Sequence, residues 1–270
     1  MDGGFLFEIN KQYNDLGQEA VLTNQMCIIK LYQDYIDLGC SIITTNNYGF
    51  KPSRCDNWKE LYIMSKDIFT QLKINNPTIK IYGSLPPFFP SYQYKPINDE
   101  FKQFYKTIIP ILNDYVDEFI IETAVSLEHI DSICSIHKEL NIEKKINISF
   151  YPVDYKKNDI NDLISKYKYI DKLFINCCSF TDMKQLYDNT IKAILNKHNN
   201  LSFGFYLNKI DEKKYNTDQN VKELQEYKHN NDEYNKIFEF SKQFKNIYIG
   251  GCCGYGIKEM NTLINYNSVL

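Results

Sequence analysis

The chain has 270 residues, 43% of them hydrophobic, and a formal net charge of −3 with acidic and basic side chains interspersed. That length builds one substantial core, and α/β barrels of about 250 residues commonly form a single domain, so residues 1–270 are expected to be one unit. The charge pattern lacks the basic stripe that a nucleic-acid backbone requires; no apolar run approaches the ~20 residues of a bilayer span, and residues 1–20 do not read as a signal peptide, so a cytoplasmic protein is expected.

In chain order, Asp2-Gly3-Gly4 comes first, with almost no strand ahead of it. From there, short β-branched or aromatic runs alternate with longer amphipathic ones. Helical patterns cover residues 26–38, 58–72, 101–112, 126–140, 159–167, 182–196 and 232–244; strand patterns cover 41–45, 79–83, 118–122, 146–150, 172–177, 201–206 and 246–251. Residues 208–218 read as a polar loop that precedes a helical stretch, 221–227. Repeated strand–helix units imply parallel strands with right-handed crossovers, either in an open doubly wound sheet or in a closed (β/α)8 barrel. Polar groups stand at nearly every strand end: Asp2, Asn46 with Asn47, Ser84, Glu122, Tyr151, Cys177, Asn208, and Cys252 with Cys253. A barrel brings those ends to one mouth, whereas an open sheet spreads them along a line, so the reading is a TIM barrel with a nearly absent first strand.

The cysteines carry the chemistry. A reducing compartment argues against a disulfide framework for the 8 cysteines. Cys252 and Cys253 sit between glycines after a short apolar strand, and Cys177 ends another strand. Three thiolates on a soft metal leave one coordination position free, which suits an incoming thiol better than it suits water. A thiol bound there loses its proton and becomes the nucleophile for an alkyl group. If that thiol belongs to an amino acid, Asp2 and Glu122 are placed to meet its ammonium. The amides of Gly3 and Gly4 and the side chains of Thr45, Asn47 and Ser84 are placed to meet its carboxylate. Strand alternation turns Cys178 away from the mouth, and Cys27, Cys40 and Cys134 read as buried apolar residues.

The runs Asp2-Gly3-Gly4 with Glu8, Ile43-Thr44-Thr45-Asn46-Asn47-Tyr48, Gly83-Ser84-Leu85-Pro86-Pro87, Glu122-Thr123, Asn176-Cys177, Tyr206-Leu207-Asn208 and Gly250-Gly251-Cys252-Cys253-Gly254 occur in this order. In order and register the chain resembles the homocysteine S-methyltransferase family over essentially its whole length. The resemblance implies a zinc-dependent barrel that transfers a methyl group to the thiol of homocysteine, giving methionine. It also implies Cys177, Cys252 and Cys253 as zinc ligands, with Asp2 and Glu122 near the amino group of the substrate. Among the other strand-end residues, Gly3, Gly4, Thr45, Asn47, Ser84 and Asn208 are the candidate substrate contacts. With no attached cobalamin- or folate-binding region, a small donor such as S-methylmethionine, S-adenosylmethionine or a betaine is implied. The chain departs from the family at its shortened start, at Asn47 where a threonine is common, and near 21–23 where a tryptophan is usual. Two other readings remain open: a family relic that binds zinc or a thiol without turnover, and a redox sensor built on a vicinal Cys252–Cys253 disulfide. His129, His137, His198 and His229 match no motif position and read as surface or helix residues.

Overall fold

A computed structural model describes residues 1–6, 8, 9, 18–209 and 231–268. The end of the expected polar loop, the 221–227 helix and His229 lie outside the described residues. Seven parallel strands form one sheet in sequential order: β1 (Ile42–Thr44), β2 (Lys80–Leu85), β3 (Glu118–Ala124), β4 (Ile146–Phe150), β5 (Ile170–Asn176), β6 (Ser202–Leu207) and β7 (Ile247–Gly251). Sequential order with parallel pairing is the signature of a barrel wound in one direction, because each helix carries the chain back over the outside to the next position.

Closure falls to the first two residues. Asp2 donates its backbone N–H to Ile42 O at 3.0 Å, while the Met1 ammonium reaches Ile249 O at 2.9 Å and Gly251 N–H reaches Asp2 O at 3.0 Å. Met1 and Asp2 therefore bond to the edges of both β1 and β7 in the place of an eighth strand. The gap is tight: a Cβ on Gly250 would sit 2.8 Å from Met1 Cβ.

All seven expected strands form, as do all seven helical patterns, with the 182–196 stretch divided into Phe180–Leu186, a π-helical turn at Tyr187–Ile191 and Lys192–Lys197. Gln18–Thr23 and Ile257–Ser268 are further helices beyond those expected. The main core lies between the outer face of the sheet and the helices, as apolar periodicity on both requires. Inside the barrel, alternate residues stack in tiers. A middle tier is apolar or aromatic, built from Ile42, Tyr82, Ile120, Phe174 and Tyr206. Below it, Glu118 accepts from Lys80 Nζ at 2.7 Å, Lys172 Nζ at 2.8 Å and Asn147 Nδ2 at 3.0 Å. Burial works against the Glu118 carboxylate, but the two ammoniums and the amide outweigh it and hold the group down at about 2. The polar tier above faces the mouth. Among the described residues, no helix is long and apolar enough to cross a membrane.

Candidate active site at the barrel mouth

Two of the three expected thiols converge. The Sγ atoms of Cys177, after β5, and Cys252, after β7, meet at bonding contact, with their Cα atoms 5.7 Å apart and a sequence separation of 75. This corrects the redox-sensor reading: the contacting pair is Cys177 with Cys252, not the neighbours Cys252 and Cys253. Adjacent residues rarely meet the geometry of a disulfide, whereas neighbouring barrel strands bring distant cysteines within reach. Cys253 stands outside that pair, partly exposed on the same turn, and its thiol lies within electrostatic reach of the Tyr48 hydroxyl. Cys178 is buried on the outer, helix-facing side, whereas Cys252 packs against the interior cluster, so alternation separates it from the mouth as expected. Among the described residues, no three His, Cys, Asp or Glu side chains are grouped as a ready-made metal shell. The donor chemistry nonetheless fits a soft metal: two sulfurs converge, a third thiol follows directly, and Gly251 and Gly254 flank them, Gly254 at φ 84°.

The turn bearing Cys252 and Cys253 is held from both sides. A Cβ on Gly4 would lie 2.3 Å from the Cys252 carbonyl oxygen, and one on Gly3 would lie 2.2 Å from Tyr255 O, so both glycines are required by close backbone approach. Gly4 N–H already donates to Tyr255 O at 2.8 Å. From the other side, Lys209 N–H donates to Cys253 O at 2.8 Å while its ammonium pairs with Glu259 at 2.9 Å, in a site where both side chains are almost completely buried. Asn208 anchors the same connection through its N–H to Cys178 O at 2.9 Å.

The two carboxylates stand at different strand ends of the mouth and differ in their partners. Asp2 is buried and accepts from Thr44 N–H at 2.8 Å and Thr44 Oγ1 at 3.2 Å; burial nevertheless pushes it up to about 7. Glu122, partly exposed, accepts from the Ser84 hydroxyl and from Tyr206 Oη at 3.4 Å. Desolvation, with the negative charge of Asp2 adding to it, pushes Glu122 up to about 7 as well. Two carboxyls held near neutrality by burial are a site where an incoming cation would restore the charged form.

Thr45, Asn47 and Ser84 are brought together but are occupied with one another. Thr45 Oγ1 accepts Ser84 N–H at 2.8 Å and donates to Asn47 Oδ1, while Asn47 Nδ2 donates to Tyr62 Oη at 2.9 Å and to Ser84 O at 2.8 Å. The Ser84 hydroxyl is the member of the three that turns to Glu122. Beside Glu122 lies a shallow recess with room for little more than a water molecule, walled by Leu85, Phe88, Phe89, Tyr92 and Tyr105. Lys51, buried beneath it, pins that loop by donating to Pro87 O and Phe89 O, each at 3.2 Å.

Sequence reasoning missed four contributors: Tyr48, Thr123, Tyr206 and the amide of Asn176. All four stand in the motif runs, and Asn176 also directly precedes the proposed ligand, but no run by itself assigns them a role. They come into contact only when the strand ends meet.

Comparison with solved structures agrees with the barrel fold. The Escherichia coli homocysteine methyltransferase MmuM in its metallated form superposes with a TM-score of 0.72 at 17% identity, covering 98% of this chain and 95% of that one. Its oxidized form gives 0.74 at 18% identity, covering 98% and 94%. A type I 3-dehydroquinate dehydratase from Clostridium difficile reaches only 0.50 at 15% identity, over 90% and 87%. No protein of curated function matches the sequence. At these identities the superpositions speak for the barrel fold alone. The family profile described as homocysteine S-methyltransferase, however, matches residues 1–265, and the chain belongs to that family.

Proposed function

We propose that the protein transfers a methyl group from a small donor to the thiol of homocysteine, giving methionine, with zinc held by Cys177, Cys252 and Cys253. The observation that carries this reading is the meeting of the Cys177 and Cys252 sulfurs at the mouth that Asp2 and Glu122 border. Zinc, when bound, supplies a site at which a substrate thiol sheds its proton and stays a nucleophile at neutral pH. The chain's own residues do the rest. Asp2 and Glu122, both pushed up to about 7 by burial, gain their charged form when the substrate ammonium arrives. Ser84 and Tyr206 hold the Glu122 carboxyl in place for that contact. The aromatic rings beside Glu122 offer their faces to a cationic donor. The chemical step is a single displacement: the substrate sulfur forms a bond to the methyl carbon, and the donor's heteroatom leaves with the electron pair. Rate enhancement then comes chiefly from positioning and thiolate generation.

The test is zinc content together with methionine formation from homocysteine and S-methylmethionine, S-adenosylmethionine or glycine betaine. Reduced protein should hold about one zinc per chain, as an open three-thiolate site does. Cys177→Ser should lose zinc and turnover together, and Cys178→Ser should keep both. Zinc and turnover surviving in Cys177→Ser would sink the ligand assignment.

A further inference from the structure

Asn176 is fully buried, and its side chain uses its whole hydrogen-bonding capacity on the ends of β3, β4 and β5. Oδ1 accepts from Thr123 N–H at 3.1 Å and from the Ser149 hydroxyl at 2.8 Å; Nδ2 donates to Thr123 Oγ1 at 3.0 Å and to Cys177 Sγ at 3.3 Å. The two residues it grips share an uncommon backbone. Thr123 has φ 53° and Cys177 has φ 52°, both left-handed. Neither has the freedom of glycine, and for a β-branched threonine this region is a genuine outlier that persists only where surrounding contacts over-determine it. The Asn176 amide supplies those contacts to Thr123 at both its N–H and its hydroxyl. Thr123 Oγ1 in turn accepts from Tyr48 Oη at 3.3 Å and stands 3.9 Å from Cys177 Sγ as a second donor.

Each turn sets one half of the mouth. The left-handed turn at Cys177 aims its sulfur at Cys252, and the one at Thr123 fixes the residue that follows Glu122. A single amide ties the two turns together. We infer that Asn176 is a positioning residue that couples the Cys177 thiol to the Glu122–Thr123 strand end, so that metal retention and amino-acid recognition depend on the same side chain. This inference rests on the zinc and homocysteine reading of the mouth.

Asn176→Asp keeps size and both acceptor contacts but removes the two donors, whereas Asn176→Ala removes all four bonds. Three quantities separate coupling from ordinary structural support: the unfolding midpoint of the reduced metal-free protein, the rate of zinc loss to a chromophoric chelator, and the split between KM for homocysteine and kcat. Folded Asn176→Asp should lose zinc at least about tenfold faster, the range expected for a partner that orients a metal ligand, and should also show a raised KM. Glu122→Gln should raise KM while keeping zinc, and Cys178→Ser should move neither. Wild-type zinc loss and KM in a folded Asn176 variant would overturn the inference. Should both variants fail to fold, Thr123→Gly, which tolerates the positive φ and removes the second sulfur donor, is measured by the same two readouts: faster zinc loss with a raised KM supports the coupling, and wild-type values overturn it. If the reconstituted wild type holds no zinc, the functional reading fails by that result alone. The coupling is then decided on metal-free protein by exchange of the Cys177–Cys252 disulfide with glutathione. Loss of the amide donor should shift that equilibrium toward the dithiol by about tenfold, and an unshifted equilibrium would overturn the inference.

Discussion

Asn47 shows how a residue's type and a residue's task part company. At a strand end, beside threonines, an asparagine reads as a donor waiting for a substrate carboxylate. In the folded chain its amide is committed to Thr45, Tyr62 and Ser84, and the side chain is completely buried. A threonine could not span both Tyr62 and the Ser84 carbonyl; the longer planar amide can. Asn47→Ala removes three buried bonds and leaves the Ser84 carbonyl and Tyr62 hydroxyl without this partner. Unfolding free energy should fall by about 2–4 kcal/mol, with little change in KM for the fraction that remains folded. Denaturant titration beside steady-state kinetics checks this; an unmoved unfolding midpoint with a raised KM would return Asn47 to the substrate side. The same distinction runs through the mouth. The residue types at the strand ends were legible, but which of them bond to each other depends on strand register and on left-handed turns at Thr123 and Cys177, which no local pattern announces.

Among the elements, the β7 turn is the one most dependent on its neighbours. Cys252 and Cys253 sit on a glycine-flanked segment that would wander alone, and two other segments hold it: Gly3-Gly4 by close approach and the β6 exit through Lys209. Lys209 contributes twice, by a backbone bond to Cys253 O and by an ion pair with Glu259, whose other oxygen accepts Gly256 N–H at 3.1 Å. Burial alone would raise the Glu259 carboxyl, but the Lys209 ammonium and the backbone amides hold it below the usual range. Breaking one partner of a buried pair leaves the other uncompensated, so Lys209→Met should cost about 3 kcal/mol, and Lys209→Met with Glu259→Met should recover most of it. Unfolding of the reduced, metal-free protein measures both. Equal losses in the single and double variants would mean that Glu259 is held by its amide contact and not by the ion pair.

Across the whole molecule, the period-2 and period-3.6 patterns were enough to read the alternation of strands and helices, because burial on the outer sheet face and the inner helix faces writes directly into residue order. The barrel interior was not legible in the same way. Glu118, Asn147 and Lys172 lie at the starts of β3, β4 and β5 and read as isolated polar residues until closure brings them within bonding distance. His137 shares this history: it lies in a helix, as expected, but on the buried face, between the rings of Phe119 and Tyr169. Among the described residues neither ring nitrogen has a partner at hydrogen-bond geometry, and burial lowers the imidazole from 6.5 to about 4. A group whose pKa is depressed by folding binds fewer protons in the native state than in the unfolded one. Its stability contribution is therefore intact above pH 6.5 and is lost as pH falls toward 4. His137→Leu fills much of the same volume without a titrating group. The variant should gain on the wild type between pH 7 and pH 4.5 by on the order of 2 kcal/mol, allowing for partial solvation of the ring. Chemical denaturation at a series of pH values reads this as a difference that widens on acidification, and parallel stability curves for the two proteins would show that His137 takes up its proton without disturbing the helix against the sheet.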